Sequence, residues 1–386
     1  MKFPIYLDYH STTPVDPRVL EAMLPYFNEK FGNASSKSHS FGNEAAAAVE
    51  ISRDTIADYL GASKDEIVFT SGATESINLA LKGVAESSVK GKNRIISTNI
   101  EHGAAFDTLN YLSKFGFEIT FLQVNKEGLL SLDELGSAID DKTLLVSIIL
   151  ANNEIGVIQD IENISKICVE KNVLLHMDAS QGIGKVPINL AHTPVDLISF
   201  TAHKIYGPKG IGGLYIRNKT PKLKLSPQML GGGHEKGYRS GTLNVPGIVG
   251  LGTAISLLQK YATEENKRIL FLRDMLLDGL TKQLDSVSVN GSLIHRLPNN
   301  LNIRFEGVSA DTLISNMKEI AVSTGSACSS HSGKLSRTLK SIGLSDEQVK
   351  SSIRFGVGRY TTEDEINFSI NLIVNHVNKL KLNFKV

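Results

Sequence analysis

Between about residue 60 and residue 217, short apolar runs alternate with longer stretches of helical periodicity. The runs predict strands at Glu66–Thr70, Arg94–Thr98, Glu118–Gln123, Leu144–Leu150, Val173–Asp178, Asp196–Thr201 and Gly213–Arg217. Helices are predicted between most of them, among them Glu75–Val84, Ala104–Phe115 and Ile161–Lys171. The alternation predicts an α/β fold with a mostly parallel sheet covered by helices on both faces. Residues 253–284 read as one long helix leading into a second region. From about 285 to 386 strands and helices mix, as in a smaller α+β C-terminal domain. No internal repeat or low-complexity segment interrupts the pattern.

The 386 residues are 41% hydrophobic, enough for a large core and two domains. Lys plus Arg number 41 against 40 for Asp plus Glu, so the net charge of +1 gives no reason to expect nucleic acid or an anionic membrane as partner. The N-terminus, Met1-Lys2-Phe3-Pro4, starts no apolar run of signal-peptide length. The most apolar stretch, Leu144–Ala151, is too short to span a bilayer. A soluble, cytoplasmic protein is expected. Two cysteines exclude a disulfide framework. Cys168 keeps step with Ile161 and Ile164 on a helical face and reads as core. Cys328 lies among small polar residues, Ser323-Thr324-Gly325-Ser326-Ala327-Cys328-Ser329-Ser330, where packing is no reason for a thiol and chemistry is.

In open α/β sheets ligands sit at the carboxyl ends of strands, and polar residues fall there repeatedly. Ser71-Gly72-Ala73-Thr74 follows a strand and opens a helix, which makes a phosphate site or, more plainly, an N-cap. Glu101-His102 and Asn152-Asn153-Glu154-Ile155-Gly156 follow two more strands. Asp178, with Gln181 three residues on, ends a buried strand, where a carboxylate needs a cation such as a protonated pyridine nitrogen. His203-Lys204 sits between an apolar run and the turn Gly207-Pro208-Lys209-Gly210. A desolvated lysine there would hold a neutral amine, able to add to an aldehyde such as pyridoxal phosphate. His176 reads as a satisfied core residue, His192 and His295 as loop residues, and His10 is left undecided. Gly231-Gly232-Gly233-His234 lacks the context of a nucleotide-binding loop, and no histidine or cysteine pair has metal-ligand spacing, so no metal is expected.

Taken in order, Ser71-Gly72-Ala73-Thr74-Glu75-Ser76, Glu101-His102, Asn152–Gly156, Asp178-Ala179-Ser180-Gln181, His203-Lys204, Arg239-Ser240-Gly241-Thr242 and Gly325-Ser326-Ala327-Cys328 resemble the cysteine desulfurases. Within them the chain is similar to the NifS/IscS-like group, and the likeness runs from Tyr6-Leu7-Asp8-Tyr9 to Arg354-Phe355. The resemblance implies an aspartate-aminotransferase-like fold (fold type I) and a homodimer with the site at the subunit interface. It implies a large pyridoxal-phosphate-binding domain over residues 15–255 and a small domain from 1–14 and 256–386. Lys204 would be the covalent attachment point of the cofactor and would move the substrate's Cα proton. Asp178 would pair with the pyridinium nitrogen, Gln181 with the ring hydroxyl, and His102 would stack on the ring and assist proton transfer at the substrate thiol. Ala73, Thr74, Thr201 and His203 would hold the phosphate, with Thr242 reaching across from a second subunit. Asn153 and Arg354 would bind the substrate carboxylate. Cys328 would take the sulfur of L-cysteine as a persulfide, releasing L-alanine, and pass it to an acceptor protein of iron–sulfur cluster assembly or tRNA thiolation. The alternatives are a selenocysteine lyase or transaminase on the same fold, and a binding protein that has kept the fold without catalysis.

Three positions depart from the family pattern. Ala202 stands where the family has glycine, which is tolerated unless the backbone needs a positive φ. Lys334-Leu335 replaces an acidic-proline pair after the cysteine, adding positive charge beside the sulfur-delivery loop. The chain stops at Lys385-Val386, without the longer tail that some members use to contact a scaffold protein.

Overall fold

Strand Thr143–Ile149 is buried at every residue, as are Ile67–Thr70, Leu197–Thr201 and Gly212–Ile216. Runs with no polar face must be covered on both sides, and that requirement organises the fold. The computed structural model describes residues 2–88, 91–190, 192–220, 223–325 and 335–383. Twelve strands occur among them: β1 (Ile5–Tyr6), β2 (Ile67–Thr70), β3 (Arg94–Thr98), β4 (Glu118–Leu122), β5 (Thr143–Ile149), β6 (Leu174–Asp178), β7 (Leu197–Thr201), β8 (Gly212–Ile216), β9 (Val287–Val289), β10 (Asn300–Phe305), β11 (Ile320–Ala321) and β12 (Ser352–Gly356). The helices are α1 (Pro17–Met23), α2 (Pro25–Asn28), α3 (Ser40–Leu60), α4 (Ala73–Glu86), α5 (Gly103–Ser113), α6 (Leu132–Ala138), α7 (Ile161–Glu170), α8 (Val245–Thr281), α9 (Ala310–Asn316), α10 (Arg337–Ser341), α11 (Asp346–Lys350) and α12 (Glu363–Asn383).

Seven strands form the main sheet in the order β2-β8-β7-β6-β5-β3-β4. The pairs β7/β6, β6/β5, β5/β3 and β3/β4 are parallel, while β8 runs antiparallel to both β7 and β2. Two antiparallel steps restore direction, so β2 points the same way as β7. The carboxyl ends of β2, β3, β5, β6 and β7 therefore meet at one edge, and the polar residues singled out above gather there. The predicted strands match the observed ones to within a residue at either end. One cluster of buried side chains from α3, α7 and α8 covers one face, and a second from α4 and α5 covers the other.

The long helix starts at Val245, eight residues before the predicted start. Pro246 suits a first helical turn, and Asn244 caps the helix by accepting from the Gly247 amide (3.1 Å). Gly252 lies where a Cβ would meet the Ser52 Cβ of α3 at 2.7 Å, so its bareness sets how closely the two helices pack. The far half of α8 enters a separate core with β1, β10, β12 and α12. Its sheet is antiparallel, in the order β12-β10-β9, beside the parallel pair β1-β11. The segment from Leu7 to Thr13 runs from there into the main sheet's edge, where the Thr13 amide donates to the His203 carbonyl (3.0 Å). The smaller α+β region is thereby tied to the turn that carries Lys204.

Candidate active site

At that edge lies a cavity of about 230 Å³ lined by Ala73, Thr74, His102, Asn153, Asp178, Gln181, Thr201, His203, Lys204 and Arg354, along with His10 and Ser11. Ten of the twelve predicted site residues are thus brought together.

Ala73 and Thr74 open α4, whose N-cap is Gly72 at φ 150°, with no side chain capping the helix. Neither Ser71 nor Thr74 caps it, so the plain N-cap reading falls. Free amides and the positive end of the helix dipole face the cavity, the setting that suits a phosphate. The φ of Gly72 is one that L side chains rarely adopt, and β8 passes close by, so that a Cβ on Gly212 would stand 2.7 Å from the Gly72 Cα. Thr201 ends β7, and its hydroxyl donates to the Ile211 carbonyl (3.3 Å). The His203 Nδ1 meets the Thr12 hydroxyl (3.1 Å). Burial, reinforced by Lys204 and Lys209, pushes the His203 pKa down to about 4.

Asp178 ends β6 almost wholly buried, and its Oδ1 accepts from the Ser180 amide (2.9 Å) and hydroxyl. Lys204 closes a single 3-10 turn, Ala202–Lys204, directly after β7. Its Nζ donates to the carbonyls of His10 and of Ser11, the latter at 2.7 Å. Ala202 has a negative φ, so the absence of glycine there costs nothing. The structure settles the environment of His10. It is buried, its Nδ1 donates to Gln181 Oε1 (3.2 Å), and its carbonyl accepts from Gln181 Nε2 (2.9 Å). Asn300 Nδ2 donates to its other nitrogen (3.1 Å), and burial holds its pKa well below the ordinary value. Gln181 keeps one Nε2 proton for a ligand.

His102 is the N-cap of α5, its Nδ1 accepting from the Ala104 amide (3.1 Å). A neutral ring in that position carries its proton on Nε2. Burial lowers its pKa, with Lys204 and Arg337 pushing the same way and Asp178 and Glu154 opposing. Beneath it Glu101 accepts from the Thr98 hydroxyl (2.6 Å) and the Ile149 amide (3.1 Å) through Oε1, while Oε2 is buried without a partner among the described residues. Burial pushes this carboxyl up to about 8, so it is mostly protonated at neutral pH.

Arg354, on β12, is 1% exposed. It donates to Asp8 Oδ1 (2.7 Å), the Ser11 hydroxyl (2.9 Å) and the Asn153 carbonyl (2.9 Å), and its Nε is buried without a partner among the described residues. The sequence alone assigns no role to Asp8 or Ser11, whose contact with Arg354 is long-range. Thr242 is exposed and does not line its own chain's cavity. Cys328, with Ser326, Ala327 and Lys334, lies outside the described residues. Cys168 is core as expected, its thiol pushed up to about 12 by burial. His176 is satisfied on both sides, by Ser147 and Ser199 at 2.9 Å each.

An uncapped helix N-terminus, a buried carboxylate, a lysine amine and an arginine with an unpaired N–H converge on one cavity, and together they define a pyridoxal-phosphate-dependent enzyme. The chain belongs to the class-V aminotransferase family, whose model matches residues 5–368. It is 52% identical over 381 residues to the cysteine desulfurase IscS of Anaeromyxobacter sp. (strain Fw109-5), covering 99% of this chain and 94% of that one. Among solved structures, a NifS-like protein matches with a TM-score of 0.91 at 40% identity, covering 97% of this chain and 99% of that one. SspA in complex with cysteine matches with a TM-score of 0.79 at 35% identity, covering 93% of this chain and all of that one (100%). Pyridoxal phosphate is the cofactor of this family, and the residues present fit it.

Proposed function

We propose that this chain is a cysteine desulfurase that converts L-cysteine to L-alanine and carries the sulfur as a persulfide on Cys328. The observation behind this reading is the convergence of Lys204, Asp178, Gln181, His102 and Arg354 on one cavity. Pyridoxal phosphate, when bound, supplies an electrophilic aldehyde and an electron-withdrawing ring. Ala73, Thr74, Thr201 and His203 would hold its phosphate, Asp178 its ring nitrogen and Gln181 its hydroxyl. Arg354, with Asn153, would anchor the substrate carboxylate and so aim Cα at Lys204. The Lys204 amine would remove the Cα proton and return one to the alanine fragment. His102 would donate Nε2–H to the substrate sulfur; to accept a proton, its ring must first leave the Ala104 amide. The Cys328 thiolate would attack that sulfur, forming an S–S bond as the Cβ–S bond breaks with its electron pair left on the fragment.

The acceptor would be a protein of iron–sulfur cluster assembly or tRNA thiolation, and the working compartment the cytoplasm. Among the described residues no helix is long and apolar enough to cross a membrane. A homodimer is supported by the exposed side chains Leu20, Leu24, Phe27, Phe31 and Phe41 along α1–α3, a patch that a second copy would cover. Thr242, exposed and outside its own cavity, would then serve the partner's phosphate.

The deciding experiment is peptide mass spectrometry after incubation with L-cysteine without reductant, followed by alkylation. One extra sulfur on the Cys328 peptide and none on the Cys168 peptide is expected. Protein that holds the cofactor on Lys204 yet gains no sulfur would move the reading to a lyase or transaminase.

A further inference from the structure

The turn that presents His102 is gripped from both ends by one side chain outside the cavity. Arg337, the first residue of α10, donates from Nε to the Asn99 carbonyl (3.0 Å) and from Nη2 to the Glu101 carbonyl. Its guanidinium also lies over the Phe106 ring, 3.5 Å from the centroid. Asn99 and Glu101 precede His102, and Phe106 follows it within α5. A planar fork that bonds one flank and stacks on the other restrains both ends of a short segment, which a lysine could not do. The residues on either side of Arg337 grip the neighbouring turn. The Ser336 hydroxyl donates to Glu154 Oε2, and Asn152 Nδ2 donates to the Thr338 hydroxyl (3.4 Å). Three consecutive side chains thus join the turn of His102 to the turn of Asn153.

We infer that Arg337 is a positioning residue for His102, fastening the turn on both sides of the imidazole so that Nδ1 stays on the Ala104 amide. An imidazolium cannot make that bond, because both its nitrogens carry protons. A fixed cation beside the ring therefore acts with the geometry, disfavouring a second proton. The charged groups facing His102 are Asp178 from β6, Glu154 from the turn after β5, Lys204 from the turn after β7, and Arg337. Two are acidic and two basic, so removing Arg337 leaves the carboxylates in excess.

The inference rests on the proposed role of His102 at the substrate sulfur, but its test does not. Holoenzyme with isotopically labelled histidine is titrated by NMR, with the His102 signal identified by its loss in His102→Gln. In the unaltered protein the neutral ring is expected to be a single tautomer with the proton on Nε2. In Arg337→Met its midpoint should rise by about half a pH unit or more and the tautomers should mix. Arg337→Lys, which keeps the charge, should restore most of the midpoint but not the single tautomer. The desulfurase kcat of Arg337→Met should fall more at pH 6.5 than at pH 8, with KM for L-cysteine unchanged. Arg337→Gln serves if the methionine variant fails to fold. The same tautomer and midpoint without the arginine would overturn the inference, whether or not Cys328 gains sulfur.

Discussion

Arg354 is buried and ion-paired to Asp8, and its bonds to Asp8, Ser11 and Asn153 use three of its five N–H groups, so the cation is incompletely bonded among the described residues. It lines the cavity, where its charge can attract a carboxylate. Arg354→Lys keeps the charge but not the fork, and is expected to raise KM for L-cysteine about tenfold with a smaller effect on kcat; an unchanged KM in steady-state kinetics would remove Arg354 from the substrate site. Glu101 carries a prediction about stability. Its pKa is raised from 4.5 to about 8, so the folded chain binds the proton more tightly than the unfolded one. Its favourable contribution is complete below about pH 4.5 and is lost as pH rises through about 8. Glu101→Gln keeps the acceptor for Thr98 and Ile149 without the ionisation, and should stabilise the protein by roughly 3 kcal/mol at pH 7, with no gain near pH 4.5. Thermal unfolding at the two pH values checks this. His176 works the other way. With its pKa down at about 4, the unfolded chain is protonated first, and stability falls as pH drops from about 6.5 toward 4.

Among the elements, β8 decides where the phosphate end of the site sits. It lies between β7 and β2, and at Gly212 its backbone touches the turn that opens α4. In Gly212→Ala the new methyl would meet the Phe200 carbonyl at 2.5 Å and the Gly72 Cα at 2.7 Å, so β8 or the turn must shift. Weaker cofactor retention is expected, about tenfold in the dissociation constant read from cofactor absorbance; unchanged retention would mean that α4 does not hold the phosphate. The elements were also where the sequence was easiest to read. Largely apolar strands bounded by polar turns left little choice of period, and Asp178 and Lys204 followed from strand ends. The start of α8 did not, because its glycines are explained only by the close approach of α1 and α3.

For the molecule as a whole, the exposed apolar residues of α1–α3 and the placement of Thr242 bear on one prediction. Phe31→Glu combined with Phe41→Glu should convert the proposed homodimer to monomers and lose cofactor. Sedimentation and cofactor absorbance read the two effects, and a dimer that persists would place the interface elsewhere. The proposed boundary at 255/256 falls within α8, whose first half packs with the main sheet and whose second half packs with β10, β12 and α12. A single rigid helix thus joins both cores, with the cavity between the main sheet's edge and Arg354 of β12.

By itself the sequence determined the order of strands and helices and the residue types at the strand ends, because periodicity and turn chemistry are local. It also carried the family likeness that assigned Lys204, Asp178 and Cys328 their roles. What only the tertiary structure decided were the partners: His10 against Gln181, Asp8 against Arg354, and Arg337 around the turn of His102. Those pairs join residues far apart in the chain. Their pairing follows from how the N-terminal segment, β12 and α10 are brought against the carboxyl edge of the main sheet, which no local pattern encodes.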